Sequence, residues 1–244
     1  MNALHNKAGA GAFCCLLIFI ISACGGTART PAPEGAVLSI DNEFVTTKEL
    51  DEIVTFLLET LPHAGEETVR ASALEGGLLP RALARNDFPE GVARAREQAN
   101  VAMQMLKSQV PFEDVQLQLS KDTAGKPPVP ISRRIIDPIL GAAVFGKPAG
   151  YVTKEPVECT YGVLIARVDL AIPEAGLFQQ EVILSTIEFP YDVLLLDINF
   201  RRERNIKRML SAKYTEITPG AFRWLPPAIR NGLPAGGILT KSEK

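Results

Sequence analysis

YVTKEPVECTYGVLIARV, residues 151–168, is the stretch whose reading decides the fold class. Tyr151 to Val157 reads as one strand. Tyr161 to Val168, with its apolar run Val163-Leu164-Ile165, reads as a second. Upstream, Val92, Ala95, Ala99, Ala102, Met103 and Leu106 recur at helical spacing, which predicts a long helix from Gly91 that ends before Pro111. Phe112 to Leu119 and Ile136 to Phe145 follow as shorter helices. Gly125 to Pro130 between them is a loop, and Gly146, Pro148 and Gly150 force a turn. Downstream, Glu181 to Phe189 reads as a further strand and Leu195 to Lys213 as a helix, with an irregular tail from Pro219. Helices grouped around a few strands joined by short turns predict an α+β fold with a small antiparallel sheet.

The N-terminal side is helical by the same reading. Ala36 to Ile40 is a strand candidate, turned at Asp41-Asn42 into Phe44-Val45. Thr46-Thr47-Lys48-Glu49 matches a capping box, with Thr46 as N-cap and Glu49 at N3. It opens a helix carrying Leu50, Ile53, Val54, Leu57 and Leu58 that stops before Pro62. Glu66 to Leu74 and Leu78 to Arg85 are two more helices, broken at Phe88-Pro89.

Before all of this lies an export signal. Lys7 precedes an apolar stretch from about Ala10 to Ile21, too short to cross a bilayer core that needs about 20 residues. Ile21-Ser22-Ala23-Cys24 then fits a lipobox, which predicts lipid modification of Cys24 after removal of residues 1–23. Acyl chains contribute about 0.8 kcal/mol per buried CH₂, so several of them anchor stably. Gly25-Gly26-Thr27 and Pro31-Ala32-Pro33-Glu34 make residues 24–35 a tether. The expected location is a membrane surface facing the periplasm, with the outer membrane preferred because Gly25 follows the lipidated residue.

Composition excludes several classes of function. Losing the signal removes Lys7 and no acid, so a formal charge of −2 becomes more negative and no basic excess points to nucleic acid. Cys14 and Cys15 leave with the signal and Cys24 takes lipid, so Cys159 is the one thiol left and His63 the one imidazole. No disulfide framework, Cys-based metal site or cofactor is expected from that inventory. Five cations, Arg201, Arg202, Arg204, Lys207 and Arg208, crowd the last long helix, and interspersed apolar residues make them a solvated face.

Two stretches resemble known proteins. Val37-Leu38-Ser39-Ile40-Asp41-Asn42-Glu43-Phe44-Val45-Thr46-Thr47-Lys48-Glu49-Leu50 resembles the opening of the N-terminal helical domain of SurA-type periplasmic chaperones. Ala99 to Val168 resembles a parvulin-type peptidyl-prolyl isomerase domain in the order of its features. Those are the helix with Met103 and Leu106, then Phe112, Ser120-Lys121-Asp122, Ala142-Ala143-Val144-Phe145, Gly150, Pro156-Val157 and Tyr161-Gly162-Val163-Leu164-Ile165.

The resemblance implies roles for single residues. Asp122 stands at the family's Cys or Asp, the catalytic candidate. Ile136 and Leu140 match the lining of the proline pocket and Phe145 the aromatic beneath it, while Cys159 falls where a hydroxyl residue joins the polar network. Leu164 occupies the position of a family histidine. The other family histidine belongs to a first strand that no segment upstream of Ala99 supplies, and Val182 to Phe189 is expected to fill that strand's place from the C-terminal side. With both imidazoles missing, rotation about a Xaa-Pro bond, whose barrier is about 18–20 kcal/mol, is expected to be catalysed weakly or not at all.

The expected division is therefore a helical domain over 36–93, a parvulin-like domain over 94–172, and a C-terminal strand, helix and tail over 173–244. The expected function is that of a lipoprotein which binds unfolded, extended, apolar or proline-containing segments of exported proteins. The alternative is a non-catalytic assembly lipoprotein that docks one fixed protein partner. An open apolar groove between helices and sheet separates the first from the second, for which a flat patch is expected.

Overall fold

The computed structural model describes residues 31–120, 129–172 and 181–233. Cys24 and Asp122 lie outside the described residues, so the roles expected of them rest on sequence alone.

β1 (Ala36–Ile40) and β2 (Glu43–Thr46) form an antiparallel hairpin. Its turn places Asp41 at φ +51°, a left-handed conformation that Asp tolerates because its side chain can bond locally. The capping box at Thr46 forms as the sequence predicts: the Glu49 backbone N–H donates to the Thr46 hydroxyl at 3.3 Å, and the Thr46 N–H donates to the Glu49 carboxylate at 3.0 Å. It opens α1 (Thr47–Thr60), which buries Leu50, Ile53, Val54, Phe56 and Leu57.

α2 (Glu66–Ala73) and α3 (Leu79–Asp87) were expected with a gap between them, but a π-helical turn over Leu74–Leu78 joins them without a break. Gly76 and Gly77 allow it. A β-carbon there would stand 3.4 Å from Pro138 and 3.3 Å from Ile139, so bare backbone lets the neighbouring helix α6 (Pro138–Val144) approach closely. α4 (Pro89–Lys107) and α5 (Phe112–Leu119) follow in their expected places. α6 is shorter at both ends than its apolar spacing suggests, because Asp137 caps it by accepting from the Ile139 N–H at 2.9 Å.

Among the described residues seven strands build two antiparallel sheets. One is β2-β1-β7, where β7 (Tyr214–Glu216) begins just past the helix expected over Leu195 to Lys213. The other is β3-β6-β5-β4, comprising Pro130–Ser132, Glu181–Pro190, Gly162–Ile172 and Val157–Glu158. β5 and β6 pair from Gly162↔Pro190 to Ile172↔Glu181 with one irregularity after Val168. The strand expected over Tyr151 to Val157 is reduced to a bridge between Val152 and Arg167 and the short β4, since Lys154, Glu155 and Pro156 lift the chain off its neighbour. After β6 come a 3-10 turn (Val193–Leu196), α7 (Ile198–Ser211) and, in the tail expected to be irregular, a 3-10 turn at Ala221–Trp224 and the short α8 (Pro227–Arg230).

The larger sheet is covered on both faces. Leu164, Ala166 and Val168 of β5 with Val182 and Leu184 of β6 join one core cluster with β1, α1, α2, α3 and α6. Val163 and Ile165 with Ile187 and Phe189 join a second cluster under α4 and α5. A strand buried on both faces has no reason to alternate polar with apolar, which is why Val163 to Ala166 read as an unbroken run.

The class is α+β, but the expected boundaries do not separate domains. Position 93/94 falls inside α4, and β1 pairs with β7 through Leu38↔Glu216 and Ile40↔Tyr214. From Pro31 onward the chain forms one body.

Candidate functional site

An open cleft of about 680 Å³ lies between α1, α6 and the ribbon 147–158. α1 contributes Ile53, and α6 contributes Ile139, Ala142 and Ala143. Tyr151 and Val157 supply the opposite apolar wall. The two alanines widen the cleft because α6 turns its larger side chains, Leu140 and Val144, into the core. On the far side of the same ribbon a smaller cleft of about 350 Å³ lies against α4, between Arg96, Asn100, Met103 and Lys107. Lys154, Glu155, Pro156 and Glu158 border both.

A chain of ion pairs stiffens the ribbon between the two clefts. Glu158 accepts from Arg85, and from Arg96 at 2.5 Å. Burial alone would raise the Glu158 carboxyl; those two guanidinium groups outweigh it and hold it below the usual carboxylate range. Arg81, buried in the cleft floor, donates to Glu49 at 2.6 Å, so the capping-box carboxylate also fixes the floor. Burial pushes Glu49 upward as well, and Arg81 with the Thr46 donors brings it below the ordinary value. Glu43 is the opposite case: desolvation wins over Arg85 and its carboxyl is raised. Glu43 borders neither cleft.

Glu49 and Glu158 are held ionised by fixed partners, so they are poor proton donors at neutral pH. Apolar walls under a charged rim suit binding of a chain segment. Pro156 and Lys154 on the outermost ribbon discourage strand addition there.

The structure brings together the residues that the parvulin resemblance singled out, but as interior. Leu140, Phe145, Cys159 and Leu164 are all buried in one cluster, with Ile136 half-buried against it. Phe145 packs on Phe56 with ring centroids 5.6 Å apart, and the Arg133 guanidinium lies 4.8 Å and 5.2 Å from the two rings. The Cys159 carbonyl accepts from the Tyr191 hydroxyl at 3.3 Å, and burial pushes its thiol well above the ordinary range. None of the five borders either cleft. Their expected role as a substrate-binding lining is therefore corrected: the sheet face that would hold a proline pocket is filled by α6 and the N-terminal elements. Thr186 of β6 sits opposite Ala166 and donates to Glu188 at 2.8 Å.

Sequence reasoning missed the ion-pair chain and the cleft. One signal was present, Arg81 and Arg85 four residues apart on a helix whose other residues are mostly apolar. Among the described residues no three His, Cys, Asp or Glu side chains gather as a metal would require, and no helix is long and apolar enough to cross a membrane. No protein-family model, curated protein or solved structure matches this chain.

Proposed function

We propose that this chain is an extracytoplasmic folding factor that holds extended apolar segments of exported proteins in the cleft between α1, α6 and the ribbon 147–158. A lipid on Cys24 tethers it to a membrane surface facing the periplasm, the outer membrane by preference. The observation that carries the proposal is the position of the cleft. It lies where helices meet the edge of a sheet, it is walled by Ile53, Ile139, Ala142, Ala143, Tyr151 and Val157, and its volume falls in the usual range of ligand sites.

The relation to parvulins belongs to the same proposal. β6 pairs with β5 over ten residue pairs, the place expected of a strand that substitutes from the C-terminal side, and α4 and α5 cover one face of that sheet. Catalysis is weak or lost in this reading, because Leu164 and Cys159, at the positions of a family histidine and a family hydroxyl residue, are buried in the core.

Protein beginning at Pro31 should keep an unfolded outer-membrane protein from aggregating at a few-fold molar excess. Ala143→Trp, which fills the cleft from a half-buried helix position, should remove that effect while leaving the urea midpoint in place. No suppression by the parent protein, or equal suppression by a correctly folded Ala143→Trp variant, ends the proposal.

A further inference from the structure

Fourteen large apolar side chains are exposed among the described residues, and seven of them fall between Val193 and Leu210. Val193, Leu194 and Leu196 project from the 3-10 turn at 72%, 55% and 40% exposure, and Ile198 opens α7 at 66%. Along α7, Ile198, Arg202, Ile206 and Leu210 follow at i, i+4 spacing, which sets them in one row on the outer side of the helix. The inner side is pinned. Arg204 and Arg208 donate to Asp87 at the end of α3, and Arg208 also reaches Asp41 at 2.8 Å. The helix therefore cannot roll to hide its outer row.

Charge selects the occupant. Residues 193–213 contain Arg201, Arg202, Arg204, Lys207, Arg208 and Lys213 against Asp197 and Glu203, in a chain whose net charge is −2. Asp87 and Asp41 neutralise two of these cations and Glu203 holds Lys207 at 2.7 Å, but Arg202 and Lys213 form no ion pair among the described residues. An apolar ridge rimmed by uncompensated cations complements an anionic bilayer surface, into which such elements sink their apolar side chains.

We propose that the 3-10 turn at Val193–Leu196 and the outer row of α7 form a membrane-docking surface for anionic lipid, which lays the body down on the bilayer to which Cys24 ties it. This rests on the reading of Cys24 as the lipid anchor, and its test is made without that anchor. Residues from Pro31 onward carry every described strand, helix and core contact, so protein beginning there keeps the fold.

The experiment is flotation of that protein with phosphatidylcholine vesicles, with and without phosphatidylglycerol. The protein should float with the phosphatidylglycerol vesicles and much less with the neutral ones. Leu194→Glu combined with Ile198→Glu should weaken binding by about tenfold or more, since both positions are exposed and their loss removes inserted apolar surface without touching the core. Arg202→Glu should weaken binding only to the anionic vesicles. Failure of the parent protein to bind phosphatidylglycerol vesicles, or equal binding by the double variant, overturns the proposal. So does a concentration-dependent dimer that the double variant disperses, which would assign the surface to a second copy. Lipid attachment itself is read separately by palmitate incorporation at Cys24, and client binding by the aggregation assay, so failure here leaves both of those readings standing.

Discussion

Leu164→Ala separates a core position from a pocket wall, and its cost follows from the structure. Leu164 is fully buried on β5, faces Val157 of β4 and Glu188 of β6, and shares a cluster with Leu140, Cys159 and Ala166. The substitution removes three carbon atoms, which at about 0.8 kcal/mol each is roughly 2.4 kcal/mol of lost transfer energy. Flanking strands hold the space open, so a cavity contribution should bring the total to about 3–4 kcal/mol, inside the usual span for such truncations. For a body of this size that is a fall in melting temperature of about 6–16 °C. Urea unfolding is the assay: the midpoint should drop by about 1 M or more with an unchanged slope. A side chain on the wall of an open pocket leaves no new cavity when shortened. A loss below about 1 kcal/mol would therefore refute the placement of Leu164 in a filled interior.

Three further outcomes are expected. Burial alone would raise Asp87, but Arg208 and Arg204 hold its carboxyl below the ordinary value, so its contribution is present above the unfolded pKa and is lost as pH falls through the folded one. Asp87→Asn should be less stable than the parent by about 1–2 kcal/mol at pH 7, and urea titrations should show the gap closing below about pH 4; a gap independent of pH would contradict the ion-pair account. A β-carbon on Gly91 would stand 2.0 Å from the Tyr191 carbonyl oxygen, so Gly91→Ala should lower the melting point sharply, whereas Gly76→Ala, with Pro138 at 3.4 Å, should cost far less by the same scan. In protein beginning at Pro31 the only cysteine is Cys159, and its buried thiol should react with a thiol reagent at pH 8 only as fast as the chain unfolds; rapid labelling of the native state would place it in an open site.

Features set by neighbours in sequence were legible before any coordinates. The capping box at Thr46 and Glu49, the turn at Asp41, and α4 with α5 depend on residues a few positions apart, and each lies where the pattern places it. What depends on distant partners was not. β3 and β7 are three residues each and exist because β6 and β1 accept them, so neither carries a periodicity of its own. The candidate site failed for the same reason. Apolar spacing at Ile136, Leu140 and Phe145 says that a face is covered, but not whether a ligand or the rest of the chain covers it. The cleft is organised by Arg81 with Glu49, and by Arg85 and Arg96 with Glu158, pairs separated by 32, 73 and 62 positions, and no local pattern marks such pairs.

The pairing of β1 with β7 has a consequence for how the protein comes into being. A chain is synthesised amino end first, so Ala36–Ile40 emerges with only the hairpin strand beside it and waits for Tyr214–Glu216, some 175 positions later, to close its other edge. Until the last eighth of the sequence has been made, a strand that ends up wholly interior stands with bare amides on one flank. A chain of this topology is exposed to aggregation during its own birth, and truncation shortly before Tyr214 should leave an aggregation-prone product.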